Sequence, residues 1–309
     1  MPAALLCMGE PMLEFNQLPA DAEGRVLYLE GHGGDTSNAA VAAARAGASV
    51  GMIAAIGADP AGEAFRTLWA REGIDTATVR TDPEHPTAVY FVFHGPEGHR
   101  FLHYRANSAA AHYAPGNLPR AALGACRALF LSGISLGISA TAADAGLEAI
   151  ALARAAGAML AFDTNYRPRL WPPARARAVM EAAIAMADIV FPGEEDALAM
   201  LGLTDPAAIL AHYRGLGPRI VAFKRGAGGV ALATEGGRLD LPAHRVAAVD
   251  ATGAGDTFCG SFLARILAGD APEDAARYAN AAAALKCTGY GAVAPIPRPA
   301  AVRALLAAG

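Results

Sequence analysis

Hydrophobic and polar positions change their period along the chain, and the clearest pattern lies in its middle part. Short apolar runs there predict four strands, and segments with a helical period separate them. The predicted strands cover residues 128–131, 158–162, 188–191 and 219–223, and the predicted helices cover 141–156, 174–186, 194–201 and 206–213. Such alternation indicates a mostly parallel sheet with helices on both faces, in which ligands bind at the carboxyl ends of the strands.

The two ends of the chain carry further strand and helix patterns. Before the middle part, the predicted strands cover 4–8, 12–18, 26–29, 50–56, 87–93 and 100–105, and the helices cover 39–46 and 60–71. After it, the predicted strands cover 229–233, 238–241 and 245–249, and the helices cover 259–267, 273–287 and 299–307.

One pair of these strands carries a hairpin signal. The turn sequence Gly-Pro-Glu-Gly at residues 95–98 separates the two strands. In the first strand apolar side chains alternate on both faces, with Tyr90 on one face and Phe91 on the other. Since neither face is polar, we expect both faces to be covered in the folded protein.

A glycine-rich loop, Asp250 to Phe258, joins the last predicted strand to an apolar helix that ends at Gly269. Its glycines allow a sharp turn that exposes backbone N–H groups, and the positive end of the following helix favours an anion there. Asp256 lies at this helix start, where a carboxylate suits a base that orients a hydroxyl for attack on phosphorus. The alternative is a turn in which the glycines serve packing and Asp256 caps the helix. The loop matches neither G-x-x-x-x-G-K-[ST] nor G-x-G-x-x-G.

A second glycine-rich loop covers residues 31–38, before the predicted helix at 39–46. Asp35 and Asn38 are short hydrogen-bonding side chains that suit sugar hydroxyls. The alternative is a tight turn in which Ser37 or Asn38 caps the helix.

Three polar clusters follow predicted strands. Residues 162–171 contain Arg167, whose planar guanidinium can hold a carboxylate or a phosphate, unless this is an exposed turn with surface arginines. Residues 224–229, Lys-Arg-Gly-Ala-Gly-Gly, are basic and glycine-rich, and the alternative is a hairpin turn with solvated charges. Residues 192–196, Pro-Gly-Glu-Glu-Asp, place acidic side chains where they either bind a metal or complement the helix dipole.

Composition and charge argue against several classes of function. The 29 acidic residues outnumber the 25 basic ones for a net charge of −4, which argues against a nucleic-acid partner. Four cysteines lie far apart without a C-x-x-C pair, so we expect neither a zinc site nor disulfides, but buried thiols in a reducing compartment. Charged residues interrupt the apolar stretches and no basic segment precedes Glu10, so we expect no membrane span, no signal peptide and a cytoplasmic location.

Two of these motifs resemble the signatures of one enzyme family. The stretch Asp-Ala-Thr-Gly-Ala-Gly-Asp that ends at Asp256 resembles the C-terminal signature of the ribokinase-like, or PfkB-type, carbohydrate kinases. Gly33-Gly34 with Asn38 resembles the N-terminal signature of the same family. The two signatures lie at opposite ends in the order that the family has, and the resemblance covers nearly the whole chain.

The resemblance implies a fold and its cofactors. The chain would form one ribokinase-like α/β kinase domain over residues 1–309, with a small β-sheet lid inserted from about 11–31 and 86–106. The implied cofactors are ATP and Mg²⁺. Because an isolated hairpin is marginal in water, the outer face of the lid predicts a second lid packed against it, in a two-fold homodimer or a higher oligomer.

Other segments are similar to the subgroup of this family that acts on 2-keto-3-deoxygluconate. They are Gly9 to Met12, Tyr104-Arg105 with the Asn-Ser-Ala-Ala that begins at Asn107, and Phe162 to Trp171. His103 stands where some relatives carry another tyrosine. The resemblance implies phosphorylation of the primary hydroxyl of this sugar acid. The alternatives are a neutral-sugar kinase of the fructokinase or ribokinase type and a non-catalytic sugar-binding regulator.

The resemblance also implies a role for individual residues. The catalytic group would consist of the base Asp256 with Gly253, Ala254 and Gly255. The sugar site would consist of Gly33, Gly34, Asn38, Tyr90, Tyr104, Arg105, Asn165 and Arg167. The nucleotide site would consist of Lys224, Arg225, Gly226, Gly228, Gly229, Gly255 and Asn280. The metal ligands would be Asp250, Glu195 and Asp196, and Asp250 with the turn 289–291 would also offer oxygens to a monovalent cation such as K⁺.

Overall fold

The computed structural model of the chain describes residues 3–95 and 98–308. Its strands are β1 (Leu5–Met8), β2 (Met12–Leu18), β3 (Leu27–Gly33), β4 (Val50–Gly57), β5 (Val79–Asp82), β6 (Ala88–Gly95), β7 (Gly98–Tyr104), β8 (Ala128–Ser132), β9 (Met159–Asp163), β10 (Ile189–Phe191), β11 (Ile220–Lys224), β12 (Val230–Thr234) and β13 (Gly237–Leu241). Its helices are α1 (Asp35–Arg45), α2 (Pro60–Arg71), α3 (Arg120–Leu123), α4 (Gly133–Gly137), α5 (Ala140–Ala155), α6 (Pro173–Ile184), α7 (Glu194–Leu201), α8 (Pro206–Gly215), α9 (Ala254–Ala268), α10 (Pro272–Lys286) and α11 (Pro299–Ala308). Each of these helices is too short or too polar to span a bilayer.

The strands form a large and a small sheet. The large sheet has nine strands in the order β13-β12-β11-β10-β9-β8-β1-β4-β5, and it is parallel from β11 to β5. Ser132, Asp163 and Phe191 are register partners at the carboxyl ends of β8, β9 and β10. These ends therefore lie side by side at one edge of the sheet, where the polar clusters of the sequence follow.

Helices cover the large sheet on both faces, and each face has its own apolar cluster. One cluster packs α1, α2, α9 and α10 against the sheet, and includes an edge-to-face contact between Phe191 and Phe262 at 5.5 Å. The other cluster packs α4, α5, α6 and α8 against the opposite face, around Phe162, Met180 and Tyr213. The predicted α/β class is confirmed.

The small sheet has the strand order β3-β2-β6-β7, with β2 and β6 parallel and the outer pairs antiparallel. The inner face of this sheet carries Met12, Glu14, Tyr90, Val92, Phe101 and His103. The outer face carries Phe15, Tyr28, Phe91, Phe93, Leu102 and Tyr104. The strands of the predicted hairpin pair as far as Gly95 and Gly98, and the two residues between these lie outside the described residues.

The structure corrects three predictions of local structure. Helix α9 begins at Ala254 instead of residue 259. Helix α1 begins at Asp35 instead of residue 39, because β3 continues to Gly33 and Gly34 alone makes the turn. The predicted buried strand at 245–249 is wrong: the segment is irregular and largely exposed. The amide of Val249 donates to the carbonyl of Cys287 at 2.7 Å, so this backbone is held by the end of α10 and not by a neighbouring strand.

One strand was absent from the sequence prediction. The strand β5 has the sequence Val-Arg-Thr-Asp and pairs in parallel with β4 at the edge of the large sheet. Its two middle residues are exposed, so it carries no apolar run that a sequence pattern can detect.

Candidate active site

The glycine-rich loop ends at the N-terminus of α9. Gly253 precedes the helix with a φ of 78°, a left-handed conformation that favours glycine, and no side chain caps the helix. The amide of Ala254 donates to the carbonyl of Ala251 at 3.1 Å, whereas the amides of Gly255 and Asp256 have no acceptor within the described residues. These two N–H groups and the helix dipole therefore offer an anion site. The amide of Ala254 is not part of this site, because its hydrogen bond is already made.

Asp256 lies partly buried in the first turn of α9, and its Oδ2 accepts a hydrogen bond of 2.8 Å from Asn38 Nδ2. Withdrawal from water raises the pKa of Asp256 to about 7; nearby Asp35 contributes to the shift and the Asn38 hydrogen bond opposes it. A base whose pKa lies near neutrality is well matched to removing a proton from a hydroxyl. The contact brings together the two signatures that lie at opposite ends of the sequence.

Asn165 follows β9 and is the one non-glycine residue with positive φ in the described parts of the chain, at 33°. Its Nδ2 donates to Asp35 Oδ2 at 2.8 Å, which ties the loop after β9 to the first turn of α1. Such a backbone conformation is retained where the surrounding structure needs the side chain in that place. Asp35, Asn38, Asn165 and Asp256 together form a polar cluster that suits the hydroxyl groups of a sugar.

Lys224 extends from the end of β11 toward the same loop. Its Nζ lies 2.7 Å from both carboxylate oxygens of Asp163, and a Cβ on Gly255 would lie 3.3 Å from it. Burial alone would lower the pKa of Lys224, but the charge of Asp163 outweighs burial and raises the pKa. The side chain thus holds a positive charge beside the free amides. Asp163 was not among the residues predicted from the sequence, although a charged residue at the end of an apolar strand was an available signal.

Gly33 and Gly34 lie where β3 meets α1, as the N-terminal signature requires. A Cβ on Gly33 would lie 2.5 Å from the Tyr90 hydroxyl, and a Cβ on Gly34 would lie 2.2 Å from the carbonyl oxygen of Glu10. Both positions therefore need glycine because the small sheet and the loop after β1 approach the backbone closely. Their predicted contact with a sugar stays a prediction.

Tyr90 is buried on the inner face, where its hydroxyl donates to a carboxylate oxygen of Glu14. Its ring stacks on His103 with the ring centroids 5.7 Å apart. Burial and Glu14 raise the pKa of Tyr90, and Asp256 and Asp250 add to this effect. The inner face therefore lies within electrostatic reach of the glycine-rich loop.

The charges of three arginines act on His103 at the end of β7. Burial and the charges of Arg105, Arg169 and Arg167 lower the pKa of His103 to about 4. Arg105 is ion-paired with buried Glu10, with Nη2 and Oε2 2.5 Å apart, so its charge has a partner within the protein, and its predicted contact with a sugar stays a prediction. Among the described residues, Arg167 and Arg169 form no ion pair and donate to main-chain carbonyls. Their two positive charges are therefore available to an anionic group.

Tyr104 does not lie on the side of the small sheet that faces the loop. It is the register partner of Val89, its ring contacts Phe91 edge to face, and 60% of it is exposed on the outer face. His103 takes the inner position instead. The prediction that Tyr104 lines the same site as Tyr90 is therefore corrected, because neighbouring residues of a strand point to opposite faces.

The basic loop after β11 forms a tight turn beside α10. Gly226 and Gly228 are exposed, whereas Gly229 is buried against the end of β13. Arg225 lies 3.4 Å from a carboxylate oxygen of Asp240. Nδ2 of Asn280, the remaining residue of the predicted nucleotide site, donates to the carbonyl of Pro242 at 2.8 Å. The exposed backbone of this turn is accessible to a nucleotide. Arg225 and Asn280 form contacts that hold the neighbouring residues Asp240 and Pro242 in place.

The three carboxylates expected to bind Mg²⁺ do not lie together. The two oxygens of Asp196 accept hydrogen bonds from the Thr164 hydroxyl at 2.6 Å and the Tyr166 amide at 3.0 Å, so this side chain anchors the loop after β9. Glu195 is exposed in the first turn of α7. Within the described residues, no group of three or more His, Cys, Asp or Glu side chains could hold a metal ion. The predicted set therefore does not fit a protein-held Mg²⁺, which would depend on nucleotide phosphates for most of its ligands.

Each of the three oxygens of Asp250 accepts a hydrogen bond. Oδ1 accepts from the Thr252 amide at 2.8 Å, Oδ2 accepts from the Gly291 amide at 2.9 Å, and the carbonyl oxygen accepts from Lys286 Nζ at 2.7 Å. Burial alone would raise the pKa of Asp250, but the Thr252 and Gly291 amides and the charge of Lys286 lower it. The donor set therefore does not fit a K⁺ ion at Asp250, because the ammonium of Lys286 already contacts the carbonyl and would repel a second cation.

Comparison with known proteins agrees with this geometry. The family model of the pfkB family carbohydrate kinases matches residues 9–299. The 2-dehydro-3-deoxygluconokinase of Thermoproteus tenax is 33% identical, with 99% of this chain and 94% of that protein covered, and the fructokinase of Klebsiella pneumoniae is 32% identical, with 90% and 92% covered. A solved double mutant of the Vibrio cholerae O395 fructokinase, bound to fructose, ADP and a potassium ion, has a TM-score of 0.86 at 25% identity, with 99% of both chains covered. The chain therefore belongs to the pfkB family of carbohydrate kinases.

Proposed function

We propose that the chain transfers the γ-phosphoryl group of ATP to the primary hydroxyl of 2-keto-3-deoxygluconate, giving 2-keto-3-deoxy-6-phosphogluconate. The observation that carries the proposal is the pair of cations Arg167 and Arg169 near the inner face, which make no ion pair in the described chain. A sugar acid brings a carboxylate that pairs with this charge, whereas a neutral sugar offers none. A coupled assay of ATP consumption with sugar acids and neutral sugars tests the proposal.

The competing candidate is a fructokinase, and two observations favour it. The fructokinase of Klebsiella pneumoniae is nearly as similar to this chain as the sugar-acid kinase of Thermoproteus tenax. In addition, Glu10 already neutralises Arg105, so one of the arginines needs no substrate carboxylate. Two observations support the sugar acid instead. Arg167 and Arg169 make no ion pair among the described residues, and further relatives at 31% identity, from Escherichia coli K12 and Dickeya dadantii, are 2-dehydro-3-deoxygluconokinases.

The proposed chemistry needs a base, a hydroxyl and an anion site in one place. Asp256 takes the proton of the attacking hydroxyl, and Asn38 orients its carboxylate through the 2.8 Å hydrogen bond. The amides of Gly255 and Asp256 and the ammonium of Lys224 stabilise the negative charge on the phosphoryl group as it moves. ATP would bind along the exposed turn at 226–228, and a divalent cation bound with it would neutralise negative charge on its phosphates. The inner face of the small sheet covers the sugar and excludes water.

We expect kcat/KM for the sugar to rise with pH and to level off above an apparent pKa near 7. The reason is that Asp256 acts as a base only when it is deprotonated, and the free-enzyme pKa of Asp256 is raised to about 7. Below this value kcat/KM should fall about tenfold per pH unit. A pH profile of kcat/KM measures this directly.

Asn38→Ala provides the matched comparison for the pH profile. It removes the hydrogen bond that opposes the shift, so the midpoint should move upward. A midpoint near the ordinary aspartate value of about 4 in both proteins would contradict the assignment of Asp256 as the base.

We propose that the outer face of the small sheet packs against the same face of a second copy in a two-fold dimer. Leu102 and Tyr104 are 44% and 60% exposed there, beside a cluster of Phe15, Phe91 and Phe93. Such a contiguous aromatic surface is costly in water and self-complementary across a two-fold axis.

Sedimentation should show a dimer at micromolar concentration, and Phe91→Asp should shift the protein to a monomer because it places a charge in the centre of the contact. Arg175→Asp on the exposed face of α6 is the control and should leave the dimer intact. A monomer formed by the unchanged protein would refute the proposed dimer.

A further inference from the structure

The chain contains only two lysines among its 25 basic residues, and both lie inside the protein near the glycine-rich loop. Lys224 has its place beside the anion site. Lys286, the last residue of α10, is 0% exposed, which is rare for lysine and implies a specific partner for its charge. The proposed chemistry leaves Lys286 without a role.

Lys286 belongs to a set of contacts that holds the start of the loop from two sides. Its Nζ donates to the carbonyl oxygen of Asp250 at 2.7 Å. The carbonyl of Cys287 accepts from the amides of Val249 at 2.7 Å and Asp250 at 3.1 Å. On the other side, the Gly291 amide donates to Asp250 Oδ2 at 2.9 Å. The end of α10 and the turn after it therefore fix the backbone that leads into the anion site.

Carboxylates from three parts of the fold act on the ammonium of Lys286. Burial lowers the pKa of Lys286 below its usual value, and the charges of Asp250, Glu14 and Asp256 oppose this effect without reversing it. Glu14 comes from the small sheet, and its Oε1 would lie 3.5 Å from a Cβ on Gly291. The ammonium is thus the positive centre of a buried group that joins the small sheet, the loop and α10.

We propose that the Lys286 ammonium serves as a built-in monovalent cation, which positions the loop at 250–256 and makes the enzyme independent of K⁺. A potassium ion and an ammonium group both bring one positive charge to a carbonyl oxygen, and here the ammonium is already in contact with the carbonyl of Asp250. The covalent tether keeps the ammonium at this carbonyl. Lys286 is a positioning residue: it acts through the loop and does not touch the reacting atoms. The kinetic part of this inference rests on the proposed kinase activity.

The unchanged enzyme gives the first test. In a buffer whose cation is tetramethylammonium, kcat and the KM for ATP should change by no more than about twofold when KCl or NaCl is added. Activation by K⁺ of about fivefold or more over NaCl at equal ionic strength would overturn the proposal.

Two variants distinguish a role for the charge of Lys286 from a role for its packing. Lys286→Ala leaves a cavity without a charge and should lower kcat by about 10–100-fold, the loss expected for one buried charge-assisted hydrogen bond. Added K⁺ or NH₄⁺ should restore a large part of this activity, because a free cation can enter the cavity. Lys286→Met fills the space without a charge and should lose activity without recovery. An Ala variant that no cation rescues, or that behaves like the Met variant, would show a structural role and overturn the proposal.

Two further measurements do not depend on turnover. The melting temperature of the unchanged protein and its calorimetric Kd for ADP should be the same in potassium and tetramethylammonium buffers, whereas K⁺ should stabilise Lys286→Ala. A K⁺-dependent melting temperature or Kd of the unchanged protein would contradict this inference even if no sugar were phosphorylated. A kinase inactive on every sugar, with cation-independent ADP binding, would count against the proposed function alone.

Discussion

Asp256→Asn is expected to lower kcat by about 10²–10⁴-fold, with KM values for the sugar acid and ATP close to those of the unchanged enzyme. The amide has the shape of the carboxylate and cannot accept a proton at neutral pH. Asn38 lies 2.8 Å from Asp256 Oδ2, and the oxygen of the new amide can still accept this hydrogen bond. The change therefore removes the base while the polar cluster around it stays in place.

The control is Asp144→Asn, an exposed carboxylate in α5 that should leave kcat unchanged. Steady-state kinetics with both substrates, and a melting curve to show that the variant folds, complete the comparison. If the Asp256 variant kept kcat within about threefold of the unchanged enzyme, Asp256 would not be the base.

Arg167→Ala and Arg169→Ala are expected to reduce kcat/KM for 2-keto-3-deoxygluconate by about 10–100-fold each, which corresponds to the loss of one charge-assisted hydrogen bond. Much of the loss should appear in KM, since the carboxylate lies at the far end of the sugar from the reacting hydroxyl. Any activity toward fructose should change far less. Arg169 also donates to the carbonyl of Phe101, so its loss should loosen the contact between the loop after β9 and the small sheet.

The choice of residues in this experiment follows from the ion pairs. Arg105→Ala would leave Glu10 buried and unpaired, so its effect on activity would be mixed with a loss of stability. Arg175→Ala, on the exposed surface of α6, is the control and should change neither substrate. Equal losses of kcat/KM for 2-keto-3-deoxygluconate and fructose in the Arg167 and Arg169 variants would show that these charges do not bind a substrate carboxylate.

The sequence predicted the large sheet well because each of its central strands is an apolar run between helical segments. The helix at 194–201 has the predicted bounds, and its acidic first turn follows strand β10 directly. The two glycine-rich loops were also located, since glycine and short polar residues mark a turn before a helix. Their meeting through Asn38 and Asp256 was implied by the family resemblance, not by any local pattern.

Residues that are far apart in the sequence explain most of what was missed. The fold brings two ion pairs together, Asp163 with Lys224 and Glu10 with Arg105. The spacing of these residues in the sequence does not predict either pair. The segment 245–249 has the apolar character of a strand, but its backbone pairs with the end of α10. A local sequence pattern does not determine which carbonyl groups will accept hydrogen bonds from the amides of a segment.

The error at Tyr104 was avoidable. Strand residues alternate between two faces of a sheet. A site that contains Arg105, at the end of β7, therefore also contains His103, two positions earlier, and excludes Tyr104 between them. The pairing of His103 with Tyr90 confirms this alternation. The aromatic character of Tyr104 belongs instead to the outer face, where Phe91 contacts it.

A coupled assay of ADP formation tests whether the protein is an ATP-dependent kinase of a sugar acid. The purified protein is compared on 2-keto-3-deoxygluconate, fructose and ribose at equal concentrations, with Asp256→Asn as the blank for contaminating kinases. We expect kcat/KM for 2-keto-3-deoxygluconate to exceed that for either neutral sugar by at least about 100-fold, the combined effect expected from Arg167 and Arg169. A preference for fructose or ribose, or no ADP formation above the blank with any of the three, would contradict it.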